Sequence, residues 1–412
     1  MRLRNSGGDG LAFRPSRRIA FSAWMRAASA CRVRISTTHC ASWPSQSMAA
    51  RSMLRSMPRW PMTGGKARSD DPVIRLSLTR MVLVLGSLSL LLAAIALAAL
   101  ATGPSRVGFG EVIDLLSGQV SDPTTRDIVL GVRLPRVVLG LLVGAALATA
   151  GAVFQALLRN PLADPFVLGI SGGAALAGIG VLALGGVLGI SARMVPIAAF
   201  CGGLFATALL YWTSGGRGRS SPTGLLLTGV VFNAFASAGI VFLASVAGFF
   251  EGSRIFLWLI GHLSAVDVDA AGIVAASVGI GLAAACGLSR SLNLLALGDE
   301  TAAHLGVPVE AHRRWLLLAT SLMVGAAVAV SGLIGFVGLI VPHSLRLLIG
   351  SDHRLLIPAA ALAGAGFLVL SDTVARTALE GRELPVGAVT ALVGGPLFIY
   401  LLRRAQARGP LA

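Results

Sequence analysis

Few residues in this 412-residue chain are of types that do chemistry, and their spacing argues against catalysis. Direct use of ATP requires a phosphate cradle of the form G-x-x-x-x-G-K-[ST]. The sole lysine, Lys66, follows Gly64 and Gly65, but Trp60 stands where the motif's first glycine belongs and Ala67 where its Ser or Thr belongs. The six histidines (His39, His262, His304, His312, His343, His353) are scattered, and none is paired with a second His or Cys at helical ligand spacing, so no metal site is expected. The cysteines Cys31, Cys40, Cys201 and Cys286 form no close pair, and the last two lie in apolar runs, where they read as small buried hydrophobes. No Ser/His/Asp arrangement stands out. Coupling to an ion gradient usually places carboxylates deep within membrane helices. Here Asp372, next to the end of an apolar stretch, is the only carboxylate placed to lie inside a span, and Arg376, four residues on, shares its helical face, so a local ion pair is expected. Any work must come from another subunit, or the chain is a passive pore.

The elements that would carry these residues are long and apolar. Between Arg80 and Arg403 nine stretches lack any charged side chain: 81–105, 137–158, 165–192, 194–216, 220–250, 270–289, 315–345, 355–371 and 384–402. A helix needs about 20 apolar residues to cross a bilayer, so the chain reads as an all-α polytopic membrane protein. The stretch 220–250 opens with Ser220-Ser221-Pro222-Thr223-Gly224, a helix-start signal that shortens its span. The stretch 315–345 is too long for one crossing at 1.5 Å per residue, and its middle, Ser331-Gly332-Leu333-Ile334-Gly335-Phe336-Val337-Gly338, should break it into one full helix and one short one. About ten transmembrane helices result.

Charge places the ends. Residues 1–80 hold 15 Lys and Arg against 3 Asp and Glu, a net +12 of the chain's +16, and the rest is close to balanced, which argues against a nucleic-acid partner. Residues 1–74 are Arg- and Ser-rich with no long apolar core; they are expected to form a disordered basic arm, a targeting peptide, or a stretch upstream of a later start at Met57, Met62 or Met81. The body spans 75–405, with a short tail at 406–412. An even number of crossings and basic residues at both ends put both termini in the cytoplasm. Arg133, Arg136, Arg376 and Arg382 then fall outside, against that trend. A weak repeat, Val143-Gly144-Ala145-Ala146 with Gly151 and Pro161 against Val324-Gly325-Ala326-Ala327 with Gly332 and Pro342, would be inverted between the two copies, a pattern common in transporters; chance matching of Gly/Ala-rich helices gives the same signal.

Several longer segments are more specific. Residues 128–170 read IVLGVRLPRVVLGLLVGAALATAGAVFQALLRNPLADPFVLGI; later come LLALGDETAAHLGV (294–307), GLIGFVGLIVPHSLRLLIGSDHRLLIPAAALAGA (332–365) and SDTVARTALEGRELPVGAVTALVGGPLFIYLL (371–402). Over 75–405 the chain resembles the FecCD-type permeases, the membrane subunits of ABC importers for vitamin B12, ferric siderophores and haem. The resemblance implies a vitamin B12 permease-like fold in a bacterial inner membrane, paired with a second permease copy as a homodimer or with a paralogue. It also implies a pair of cytoplasmic ATPase subunits that bind ATP and Mg, a periplasmic substrate-binding protein, and no cofactor in this chain. An iron-siderophore is the first expectation for cargo.

Three groups of residues follow from the resemblance. Arg133, Arg136 and Arg376 match arginines that receive acidic residues of the binding protein, a pairing suited to guanidinium; snorkelling to headgroups is the alternative. Leu297, Gly298, Asp299, Glu300, Thr301, Ala302, Ala303, His304, Leu305 and Gly306 match the coupling helix that meets the ATPase, with an ordinary loop helix as the alternative. Asn233, and Trp258 and His262 of a turn at 256–262, match segments that line or gate the pathway, although such positions also serve simply to pack helices. The rival function, an ion-gradient-driven secondary carrier, would require buried carboxylates.

Overall fold

The computed structural model describes residues 77–103, 107–118, 122–213, 222–263, 268–379 and 382–407; the expected arm 1–74 and residues 408–412 of the tail lie outside the described residues. The first helix, α1 (Leu78–Ala101), starts where Ser77 Oγ accepts from Arg80 N and buries only Ala99 and Leu100, so nearly all of its apolar surface faces outward, as a lipid-bathed helix requires. A short α2 (Phe109–Leu116) follows, then α3 (Pro123–Leu157), the most enclosed crossing. Over Asp127–Arg133 the turns of α3 widen into π-helix: Pro135 has no N–H to donate, and Leu134 N reaches back to Val129 O. Next come α4 (Ile170–Leu188), α5 (Val195–Thr213), α6 (Pro222–Val246), α7 (Phe249–Leu259) and α8 (Val268–Gly287). Two short helices, α9 (Ser289–Leu297) and α10 (Asp299–His304), precede α11 (Val309–Ser331), α12 (Val337–Ile349), α13 (His353–Thr377) and α14 (Val386–Ala407).

Eight of the described helices are long and apolar enough to cross a membrane, and α12 and α14 supply shorter apolar segments. Eight of the ten expected spans are thus present as full crossings and the other two as shorter apolar segments, and the break expected near Gly332 falls at 332–336. Helix α11 stops there because Gly332 takes a left-handed φ of 68°, and α12 restarts after Phe336, itself at φ 69°. Two details differ from the sequence reading. Phe256 to Leu259 belong to helix α7, and the turn is confined to 260–263; the apolar alternation of Phe249–Leu259 is enough for three helical turns. Cys201 is exposed on the outer side of α5 and not buried, a difference with no cost for a thiol facing lipid.

Contacts between distant residues orient the bundle. Arg80 Nη2 donates to Ile349 O, and Asn293 Nδ2 to Asp352 Oδ1, so the start of α1, the end of α12 and α9 share one face, here called lower. His262 N donates to Ser331 O and Leu384 N to Ala375 O, which gathers the ends of α7, α11 and α13 and the start of α14 at the upper face. Both ends of the described chain therefore lie at the lower face, and α3 and α11, which carry the two copies of the weak repeat, run in opposite directions.

Small residues bring the central helices together. Gly144 of α3 lies against Gly364 of α13, and Gly151 against Gly338 of α12, so closely that a Cβ at either position of α3 would run into a partner backbone carbonyl. One turn further, Gln155 answers a second need. Pro342 cannot donate to the carbonyl four residues back, and Gln155 Nε2 approaches that Gly338 oxygen at 3.4 Å and the Leu339 oxygen at 3.1 Å. Gly151→Val forces α3 and α12 apart. We expect it to lower stability by about 1–3 kcal/mol or more, read as a lower melting temperature in detergent, whereas Gly180→Val, whose Cβ would meet nothing within 4 Å, should melt close to wild type.

Candidate functional site

At the upper face the three predicted arginines converge, although α3 and α13 bring them from positions more than 200 residues apart. Asp372, buried on α13, receives Arg136 Nε at 3.0 and 3.2 Å and pairs with Arg376 Nε at 3.0 Å. Arg136 Nη1 also reaches Glu383 at 2.9 Å, just before α14. Two guanidiniums around one carboxylate make the charge of Asp372 tolerable inside the protein, since each buried ion keeps an opposite partner. Arg133 and Arg376 turn inward: Arg133 Nη1 donates to Leu100 O at 2.7 Å, and Arg376 to the Ala99 and Thr102 oxygens, so both serve the C-terminal carbonyls of α1. They are 3% and 5% exposed, and of the three arginines only Arg136 borders an open cavity.

That cavity, about 320 Å³, is walled by Arg136, Leu257, Ile260, His262, Glu383 and Pro385 among others. Ile260 also lines a second cavity of about 430 Å³ whose wall is nearly all apolar, with Leu259, Leu333, Gly335, Phe336 and Leu339 on one side and the connection 158–169 on the other. The irregular backbone of 332–336 faces this space. Non-helical backbone at membrane depth persists only where protein covers it or where it borders a cavity, and this break meets both conditions: Gly261 and Gly387 press their backbones onto the Leu333 carbonyl. One carboxylate edges the apolar cavity, that of Asp164, whose Oδ1 accepts from Phe166 N at 2.7 Å. Its place in a hydrophilic-looking connection gave no signal in the sequence that it would face inward.

At the lower face α10 occupies the predicted coupling segment. Gly298 at φ 127° and Gly306 at φ 84° supply backbone that side-chain-bearing residues rarely adopt, so the helix is set off sharply at both ends. Ala302 is buried beneath it, while Glu300, Thr301, Ala303 and His304 face out, flanked by exposed Leu297 and Leu305. Asp299 pairs with the buried Arg313 of α11 at 2.9 Å and lies 3.6 Å from Arg159. Beside it, Asn293 Oδ1 accepts from His353 N, and Asp352 caps α13; hydrogen bonds from Arg354 hold the Asp352 carboxyl well below the usual carboxylate range.

Of the predicted pathway residues, His262 lines the upper cavity, whereas Asn233 and Trp258 line neither cavity. Asn233 places its amide against Gly172 and Trp258 its ring against Gly178, both of α4. The second partner of Asp372 and the pairing of Asp299 with α11 were not legible beforehand, because each joins helices by contacts that no local spacing encodes. Removing the charge at Asp372 leaves the buried Arg376 without its carboxylate partner, while Arg136 keeps Glu383: Asp372→Asn should cost about 3–5 kcal/mol. Glu383→Gln, at a side chain 55% exposed, should cost at most about 1 kcal/mol; chemical or thermal unfolding in detergent measures both.

Comparison with known proteins places the arrangement. Residues 90–404 match the model of the FecCD transport family. The chain is 43% identical over 294 residues to the cobalamin import system permease protein BtuC of Halobacterium salinarum, covering 70% of this chain and 77% of that one. It is 40% identical over 333 residues to the hemin transport system permease protein HmuU of Yersinia pestis, covering 79% and 96%. A solved chain, from an inward-facing conformation of an ABC transporter assigned to the metal-chelate type, superposes with a TM-score of 0.69 at 30% identity, over 78% of this chain and 99% of that one. With a family model matched over residues 90–404 and relatives at 40% and 43% identity, the chain belongs to the FecCD transport family.

Proposed function

We propose that the chain is the permease subunit of a binding-protein-dependent ABC importer that moves a metal chelate across the inner membrane, an iron-siderophore first, with cobalamin and haem as the other cargo. The observation that carries this reading is the lane itself. Two adjoining cavities run from the upper face to the connection 158–169, and the larger has an apolar wall through which a bulky solute passes without being held. Relatives named for cobalamin and hemin import support the cargo class. In this reading a binding protein meets the upper face around Arg136, with Arg133 and Arg376 behind it holding α1 and Asp372 in register. A pair of ATPase subunits, binding ATP and Mg, meets α10 at the lower, cytoplasmic face. A second permease copy completes the passage.

An ion-gradient carrier is disfavoured by the same geometry. Asp372, buried within α13, is held between two arginines and not left open to a passing cation, and the Asp164 carboxyl at the apolar cavity accepts from Phe166 N. In proteoliposomes holding this chain with its ATPase subunits and its binding protein, ATP should drive accumulation of labelled ferric siderophore, cobalamin or haem. Accumulation should persist when an uncoupler collapses the ion gradient. The chain without ATPase should accumulate none of the three. Uptake that follows the ion gradient while ATP has no effect would overturn the assignment.

A further inference from the structure

The lower face holds an ion triad of Asp299, Arg313 and Arg159. Asp299 Oδ1 lies 2.9 Å from Arg313 Nη2 and 3.6 Å from Arg159 Nη2. Arg313 is 1% exposed on α11, so its contact fixes α10 to a span. The contact with Arg159 is different, because it crosses to the connection 158–169. Arg159 has φ 50°, a left-handed backbone that strains any residue with a side chain and persists where the surroundings hold it, often at working parts of proteins. Its guanidinium lies over Gly298, 3.5 Å from where a Cβ would be.

The connection that begins at Arg159 is built to move as one piece. Asn160 Oδ1 accepts from Leu162 N, Asn160 O from Ala163 N, Asp164 Oδ1 from Phe166 N, and Asp164 O from Val167 N and Leu168 N. These bonds are internal to the connection and brace it, while Arg159 N and Asn160 N, donating to Ala156 O and Gln155 O, tie its start to α3. Its far end lies against two glycines, Leu168 on Gly229 of α6 and Pro165 on Gly338 of α12, and Ala163 and Leu168 are packed into the apolar core, so the connection is seated firmly on the helices around the cavity. Leu162, Asp164, Phe166 and Val167 form one wall of the apolar cavity. A displacement applied at Arg159 therefore reaches the cavity wall.

We propose that Arg159 and Asp299 are positioning residues that transmit movement of α10 to the connection 158–169, so that this wall of the cavity follows the nucleotide state of the ATPase subunits. Neither residue touches cargo. The inference rests on the reading of α10 as the element that the ATPase subunits press. The Arg159–Asp299 pair is partly solvated, at 39% and 34% exposure. It adds little to static stability, so breaking it should leave the fold in place while loosening the link.

The test uses the assembled importer. The four native cysteines are replaced, and spin labels are attached at Leu162→Cys and Leu305→Cys, both exposed positions. The probe is the separation of the two labels with and without ATP–vanadate trapping, which needs no cargo. With Arg159 present the labels should move together and their separation should stay constant. In Arg159→Gln the separation should change on trapping, and uptake per ATP hydrolysed should fall about tenfold, within the usual range of coupling between sites; Arg159→Lys should restore both. A misfolded variant would lose hydrolysis and uptake together, and Asp299→Asn, which keeps the shape of the carboxylate, then replaces it. If the label at Leu305 is not immobilised by the ATPase subunits, the reading of α10 fails. If it is immobilised and Arg159→Gln still keeps a constant separation and wild-type uptake per ATP, the proposed link is overturned.

Discussion

Backbone inside a bilayer must be hydrogen-bonded or covered, and this requirement governs the site more than any single side chain. Helix α11 stops at Gly332 and α12 restarts at Val337, leaving 332–336 without helical partners. The surrounding chain is arranged to make that break affordable. Gly261 and Gly387 press their backbones against it, Gln155 serves the carbonyls near Pro342, and Gly151 lets α3 close on Gly338. The result is a stretch of non-helical wall bordering an apolar cavity, which is the geometry a passage for a bulky solute needs.

The charged groups follow a second constraint, that no buried ion stands alone. At the upper face Asp372 is shared by Arg136 and Arg376, and Arg133 and Arg376 occupy the open carbonyls of α1. At the lower face Arg313 is shared by Asp299 and Glu310. The two clusters sit at opposite ends of the lane, one beside the cavity that opens at the upper face, the other beneath the connection that lines its inner wall. Between them the lining is almost free of charge. Under the proposed function, events at either face would reach the lane through helices and packed backbone and not through charges in its lining.

Much of this was legible in the sequence, and the reasons are physical. Spans announce themselves because a charge in lipid is costly, so nine uncharged stretches and one glycine cluster yielded ten crossings. The cluster at 331–338 located the break, and Gly298 and Gly306 marked the ends of α10, because a left-handed backbone selects glycine. Tertiary pairing was not legible. Arg136 meets Asp372 across 236 positions and Arg159 meets Asp299 across 140. Nothing in local spacing distinguishes an arginine that docks a partner from one that caps a helix, and so Arg133 and Arg376 proved to be buried. The contacts of Asn233 with Gly172 and of Trp258 with Gly178 likewise join helices that no local spacing pairs.

The central claim is that the break at 332–336 borders the passage and that ATP hydrolysed elsewhere changes its exposure. The most direct measurement places a cysteine at Leu333, in a background without native cysteines, and follows its reaction with a membrane-impermeant thiol reagent in the assembled importer. The rate of labelling from the upper face should differ clearly between the nucleotide-free and ATP–vanadate-trapped states. A cysteine at Leu333 that reacts at the same rate in both, or that no aqueous reagent reaches in either, would contradict the account.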